Sequence, residues 1–315
     1  MLVALLADAL AGWPRRLFDV VGHPVTWLGQ MIGALDTRFN MSSSSPKTRR
    51  ALGAAALVAV VAVATLPAAL LQWAFSDLTF GWFCIGLLAW PLVAARSLHE
   101  HVSSVLTQLT RGDLTNARNA VAMIVGRDVT RLDEREVSRA AIESLAENTS
   151  DGVVAPLFWG ALLGLPGIAA YKAVNTLDSM IGHKTERHAD FGWASARFDD
   201  LMNLIPARLT GLLVALASGA PRRAFVAMMR DHAKHRSPNA GYPEAAMAGG
   251  LGVRLSGPRI YHDHIADEPW LNEGAADPDA KALARALAVY RRCLLILAVL
   301  LLGLAWLAEQ SILAW

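Results

Sequence analysis

The apolar positions of this chain gather into long unbroken runs, with little of the alternation or one-sided periodicity of a soluble fold. No Asp, Glu, Lys or Arg occurs within 51–71, 78–95 or 293–308. A helix needs about 20 apolar residues to cross the hydrocarbon core of a bilayer, so these three runs predict transmembrane helices. Residues 1–12 are apolar but too short to span, and 22–39 is mildly amphipathic. Two central segments are less regular. Residues 152–171 are uncharged but carry Pro156 and Pro166, and 201–221 contains Arg208, which leaves only a short apolar piece after it. Both predict segments that either span or re-enter, because irregular backbone at membrane depth is tolerated where it lines a protein cavity.

Between the runs the chain is polar. Arg96, Arg111, Arg118, Arg127, Arg131, Arg135 and Arg139 follow the second run, and 220–292 is again rich in Arg and Lys. By contrast 72–79 and the stretch after 308 contain neither. Basic residues collect in cytoplasmic loops, which places 96–151 and 220–292 inside and leaves 72–79 and the C-terminal end outside. Residues 128–144 mix Arg with Asp and Glu at spacings of three and four, as on an exposed helix. Residues 254–278 read as a loop because of Gly257-Pro258 and Glu268-Pro269. The expected architecture is all-α: a multi-pass integral membrane protein with broken or re-entrant central helices and cytoplasmic helical segments. It is read as a single membrane-embedded domain over 1–315.

Composition agrees with this reading. Of 315 residues 54% are hydrophobic and 18% charged, against about 25% charged in soluble domains. With 29 basic and 27 acidic residues the net charge is +2, which leaves no nucleic-acid footprint. Cys84 and Cys293 both lie in apolar runs and read as small core residues. Residues 1–12 do not read as a signal peptide, since Asp8 interrupts them and no basic residue precedes it. The close pairs His99/His101, His232/His235 and His262/His264 do not make a zinc motif. No GxxxxGK[ST] loop is present to hold a nucleotide.

The chemistry concentrates in 147–208. Asn148 and Asp151, Asn175 and Asp178, and Asp200 and Asn203 share one spacing of three, with Asp199 beside the last pair. That spacing puts both members on one helix face, as does the spacing of Glu147 from Asp151. Carboxylates flanking apolar segments are costly unless they pair or bind cations. Carboxylates and amides together suit Mg²⁺, which prefers oxygen ligands and shares its coordination with phosphates. Lys172, Lys184, Arg187, Arg197 and Arg208 lie among them as candidate phosphate clamps. The competing reading is that these acids and bases are ion pairs that brace broken helices. The stretch from Ser237 to Gly241 is a fixed turn able to present backbone N–H groups to an anion.

Five blocks carry a resemblance: GHPVTWLGQMI at 22–32, ENTSDGVVAPLFW at 147–159, YKAVNTLDSMIGHK at 171–184, FGWASARFDDLMNLIPARL at 191–209 and HRSPNAGYPEAAMAGGLGVRLSGP at 235–258. In these the sequence resembles the CobD/CbiB family, the adenosylcobinamide-phosphate synthases of cobalamin biosynthesis. It departs at Trp13, where the family often has an acidic residue. The resemblance implies an ATP-dependent acid–amine ligase of the bacterial inner membrane, with its active site facing the cytoplasm. The implied substrates are adenosylcobyric acid and (R)-1-amino-2-propanol or its O-phosphate. Mg²⁺ and ATP are the implied cofactor and co-substrate, and the corrinoid cobalt belongs to the substrate. Other membrane enzymes of nucleotide-loop assembly are expected partners, along with the lipid bilayer.

On that expectation Asp151, Asp178, Asp199 and Asp200 supply Mg²⁺ ligands, and Asn148, Asn175 and Asn203 orient them. The five cations hold phosphates, Glu147 is the general base, and Ser237 and Asn239 contact substrate. The rival readings are a non-catalytic membrane sensor and, more distantly, a Mg²⁺-dependent membrane prenyltransferase.

Overall fold

A computed structural model describes residues 1–126, 128–261, 264–266 and 268–313; Arg127 and His262, noted in the sequence, lie outside them. Among the described residues the chain is all-α apart from two short antiparallel pairs, Leu255–Ser256 with Trp270–Leu271 and Arg259–Tyr261 with His264–Ala266, and an isolated bridge between Val253 and Ala276. These pairs occupy the stretch read as a loop, and two or three residues are too few to leave a strand pattern in sequence. Among the described residues four helical stretches are long and apolar enough to cross a membrane: Pro46–Ser76, Gly81–Thr110, Glu134–Ile181 and Ala280–Gln310. Trp193–Met202 and Leu204–Ala217 qualify only together, as a bent pair. These helices run on past the apolar runs into 96–110 and 134–151, because a helix keeps its backbone hydrogen bonds whether its side chains are polar or apolar. The described residues cluster into two compact units, each built from two separate stretches of chain.

The first unit comprises Met1–Ala94 and Ala155–Asn203. It contains α1 (Leu2–Ala11), α2 (Arg15–Val21), α3 (Pro24–Phe39), α4 (Pro46–Ser76) and α5 (Gly81–Ala89), and its second stretch adds one long broken helix and one short helix. Helix α4 begins where Ser45 accepts a hydrogen bond from the Thr48 N–H and Pro46 takes the first helical position, a cap that satisfies one orphan donor at no cost to the ladder. Its 31 residues give about 46 Å of helix, longer than the roughly 30 Å hydrocarbon core.

Only Gly53, Ala56, Val60 and Ala68 of α4 are buried, and Val58, Val63, Leu66 and Leu70 are exposed. Without a hydrophobic drive inside lipid, such a helix packs through small residues that let backbones approach. A Cβ on Gly53 would fall 1.9 Å from the Phe191 carbonyl oxygen. Trp73, Phe80 and Trp82 stand exposed around the α4–α5 turn, the position of an interfacial aromatic belt.

The second unit comprises Ala95–Val154 and Leu204–Trp315. Its helices are α6 (Ala95–Thr110), α7 (Leu114–Ala122) and α8 (Glu134–Thr149), then, beyond the intervening stretch, α11 (Leu204–Ala217), α12 (Pro221–Asp231), α13 (Gly241–Leu251) and α14 (Ala280–Leu313). A single π-helical turn, Ser150–Val154, ends α8. Asp133 and Glu136 form a reciprocal capping box at its start.

Helix α8 corrects the expectation of an exposed charged helix, because it is the buried centre of this unit. Arg139 and Glu143 are only 8% and 6% exposed. Arg139 donates to Asp277 at 3.1 Å, and Glu143 accepts the Ser256 N–H at 2.6 Å. Local charge spacing suggested surface pairs, but the partners that make burial tolerable come from more than a hundred residues away. Helix α13 is almost wholly buried, and its small residues allow close packing: a Cβ on Gly249 would fall 2.5 Å from the Ala227 Cβ.

Helix α9 (Ala155–Ile181) of the first unit is broken at Gly164, whose φ of 70° and ψ of −151° lie outside helical space. The break frees the Leu165 N–H, and Gln72 of α4 accepts it through Oε1 at 2.7 Å. Gln72→Leu leaves this amide unsatisfied and is expected to cost about 1–3 kcal/mol. The thermal midpoint of the purified chain in detergent would fall, and an unchanged midpoint would remove the bond from the account. Gly164→Ala is expected to do at least as much harm, since a Cβ there would fall 2.0 Å from Gln72 Oε1 on backbone of positive φ.

Candidate functional site

In the first unit the carboxylates meet where α9 ends and α10 (Trp193–Met202) returns along it. Asn175 and Asp178, one turn apart, occupy the last turns of α9. The Asp178 side chain folds over the glycine that follows, so that a Cβ on Gly182 would fall 1.9 Å from Asp178 Oδ1. Residues 183–192 turn the chain, and α10 brings Asp199 and Asp200 to the same end. Asp178, Asp199 and Asp200 are within electrostatic reach of one another, with His183, Lys184 and Arg197 beside them. Arg197 Nη1 lies 3.2 Å from Asp200 Oδ2.

Behind the carboxylates is a fixed chain of hydrogen bonds. The Tyr171 hydroxyl donates to Asn203 Oδ1 at 2.9 Å, and Asn203 Nδ2 donates to Asp199 Oδ2 at 2.9 Å. The exposed share of these residues is 0% for Tyr171, 1% for Asn203 and 8% for Asp199. The Met202 carbonyl at the end of α10 is taken by Trp159 Nε1 at 3.0 Å. On α10 two buried side-chain oxygens lack a hydrogen-bond partner of good geometry, Ser195 Oγ and Asp199 Oδ1, although Asn175 lies beside the Asp199 carboxylate.

The Asp199 oxygen bears on Mg²⁺. Among the described residues no three His, Cys, Asp or Glu side chains converge as a ready-made metal site. A cation here would draw the rest of its coordination from water and phosphate oxygens, as Mg²⁺ ordinarily does. A buried acceptor without a donor of good geometry, beside two more carboxylates and two cations, fits such a shared site.

The remaining sequence candidates of this unit are distributed around the cluster. Arg187 turns to α3, where its Nε and Nη2 donate to Asp36 Oδ2 at 3.0 and 2.7 Å. Arg49 donates to the Arg187 carbonyl, so Arg187 braces the loop as the ion-pair reading expects. Burial alone would raise the Asp36 carboxyl, but hydrogen bonds from Asn40 and Arg187 outweigh it and hold it below the usual carboxylate range. Lys172 lies near His23, a residue the sequence reading passed over although it stands in the first family-like block. His23 caps α3, its Nδ1 accepting the Val25 N–H at 3.2 Å, and Trp13 packs edge-on against its ring at 5.1 Å. Tyr171 was also passed over, because nothing local in sequence shows that its hydroxyl meets Asn203.

The other candidates belong to the second unit. Glu147 is exposed on the last turn of α8, and Asp151 is half-buried in the π-turn. Asn148 donates back to the Ser144 carbonyl at 2.9 Å. Arg208 donates to the Leu204 carbonyl at 2.6 Å and lies 4.3 Å from the centre of the Tyr242 ring, against which His232 also packs at 4.2 Å. Asn239 is buried. The Ser237 turn holds itself: the Ser237 N–H donates to His235 Nδ1 at 3.0 Å, and the N–H groups of Asn239 and Ala240 donate to Ser237 Oγ at 3.3 and 3.2 Å. Those amides are engaged in the turn and are not presented to an anion. His235 Nε2 in turn lies 3.5 Å from Glu244 Oε1 in the core.

Comparison with known proteins adds to this geometry. The family described as CobD/Cbib protein matches residues 1–290. A cobalamin biosynthesis protein CobD of Rhodobacter capsulatus is 57% identical over 297 residues, covering 93% of each chain. The CobD proteins of Rhizobium meliloti and Brucella suis are 46% and 45% identical, the first covering 87% of this chain and 86% of its own, the second 91% and 90%. No solved structure matches the chain.

Burial, and then the charge of Lys172, lower the His23 pKa from an ordinary value of about 6.5. A basic group with a depressed folded pKa contributes stability that is present above its unfolded pKa and lost as pH falls below it. His23→Asn keeps a capping acceptor and removes the titration. Its melting temperature is expected to fall less than that of the unchanged chain between about pH 7.5 and pH 5.5; parallel curves would show that His23 does not carry the loss.

Proposed function

Because this chain belongs to the CobD/CbiB family of cobalamin biosynthesis, we propose that it is the ligase that forms an amide between adenosylcobyric acid and (R)-1-amino-2-propanol or its O-phosphate, at the expense of ATP. Its several long apolar helices make it a multi-pass membrane protein; the inner membrane as its location, and a cytoplasmic face for its chemistry, belong to the proposal. The observation that carries the proposal is the cluster of Asp178, Asp199 and Asp200 beside Lys184 and Arg197 at the junction of α9 and α10.

The chemistry asks for such a cluster. A free carboxylate resists attack by an amine because oxide would have to leave. Transfer of a phosphoryl or adenylyl group from ATP supplies a better leaving group, and the developing charge needs fixed positive partners. In this reading Lys184 and Arg197 would hold phosphate oxygens, and Asp178, Asp199 and Asp200 the cation that accompanies them. Mg²⁺, when bound, would neutralise phosphate charge and align the nucleotide. Neighbouring enzymes of nucleotide-loop assembly are the partners such a step would need to receive its product.

The test is a corrinoid mass measurement. Membranes containing the protein are incubated with adenosylcobyric acid, ATP, Mg²⁺ and either amine. A mass gain equal to the amine minus water, dependent on ATP, is the expected result and also identifies the amine. No gain with either amine from folded protein would return the chain to the sensor reading. Asp178→Asn and Asp200→Asn are each expected to raise the Mg²⁺ concentration for half-maximal rate by about tenfold, equivalent to ~1.4 kcal/mol of cation binding. Full activity of both at limiting Mg²⁺ would remove these residues from the metal site.

A further inference from the structure

The Asp199 carboxylate is held firmly at one oxygen and lacks a donor of good geometry at the other, with Asn175 beside it. Its Oδ2 accepts from Asn203 Nδ2 at 2.9 Å, and Asn203 Oδ1 accepts from the Tyr171 hydroxyl at 2.9 Å. The orientation of the Asn203 amide follows from these partners. In this orientation the amide gives Asp199 a donor and the Tyr171 hydroxyl an acceptor. All three side chains are more than nine-tenths buried, so the chain cannot swing. It ends on Asp199 Oδ1, a buried acceptor with no donor of good geometry, in a cluster that also holds Asn175, Asp178 and Asp200.

We propose that Tyr171 and Asn203 are positioning residues that fix Asp199 so that its Oδ1 is a preset oxygen ligand for a divalent cation. This rests on the reading of the cluster as a Mg²⁺-phosphate site and adds the residues that orient it. Neither Tyr171 nor Asn203 touches the cation; they act through the carboxylate. Partners of this kind keep a ligand in its binding orientation before the ion arrives, and their loss ordinarily weakens affinity about 10–100-fold.

The probe is Mn²⁺ alone, added to the full-length chain in nanodiscs without nucleotide or corrinoid, with binding read by electron paramagnetic resonance. The unchanged chain is expected to bind Mn²⁺, Asp199→Asn to lose it, and Tyr171→Phe to bind about tenfold more weakly. Melting without metal is recorded in parallel. Lower stability with unchanged Mn²⁺ affinity in Tyr171→Phe would make the hydroxyl merely structural and overturn the proposal. If Tyr171→Phe does not fold, Asn203→Ala is read in its place and must weaken Mn²⁺ by a similar factor. An unchanged chain that binds no Mn²⁺ also overturns the proposal. The ligase reading stands or falls separately on the corrinoid mass, so a chain that ligates without binding the bare ion and one that binds the ion without ligating are told apart.

Discussion

A polar group inside an apolar helix bundle has no water to fall back on, so every break in a helix and every buried carboxylate has to find its partner in the protein. In the first unit this constraint is met at named atoms. The break at Gly164 gives up a backbone amide and Gln72 of the neighbouring helix takes it. The end of α10 gives up the Met202 carbonyl and Trp159 takes it. Asp199 is held by Asn203, and Asn203 by Tyr171. The partners are spread along the chain, so α4, α9 and α10 are fixed to one another by polar bonds as well as by the packing of small residues.

Within the cluster, Asp199 Oδ1 is buried without a donor of good geometry, with Asn175 beside it. A buried carboxylate oxygen in that state costs stability, which a bound cation would offset. The family to which the chain belongs handles a phosphorylated, charged chemistry beside a membrane under the proposed reading. A cation held by the protein carboxylates, and shared with phosphate oxygens when substrate binds, would supply the missing partner.

The second unit meets the same constraint with charges. Arg139 and Glu143 lie in the buried middle of α8, and each is matched by a group from far along the chain: Asp277 for the arginine, the Ser256 amide for the glutamate. Arg254 also grips Asp277 with two bonds, at 2.9 and 2.8 Å. Removing one member of such a set leaves an uncompensated buried charge, and that loss is generally larger than the net gain from forming the pair. The irregular stretch after α13 is therefore part of the folding core of this unit although its sequence reads as a loop.

Residue by residue, much of this was legible in the linear chain. Uninterrupted apolar runs long enough to cross a bilayer determine helices there, because lipid offers the backbone no other partner. Pro166 and the nearby glycines marked the broken segment, and the repeated spacing of Asn with Asp marked the ends of α9 and α10, since helical geometry turns that spacing into a shared face. The sequence could not tell which face of α8 would be buried, whether Arg187 would meet Asp36 or a phosphate, or that His23 lies near Lys172. Nor could it find Tyr171 behind Asp199. Each of those outcomes depends on a hydrogen bond or contact between residues far apart in sequence, and only the packed helices bring both ends of such a bond to the same place.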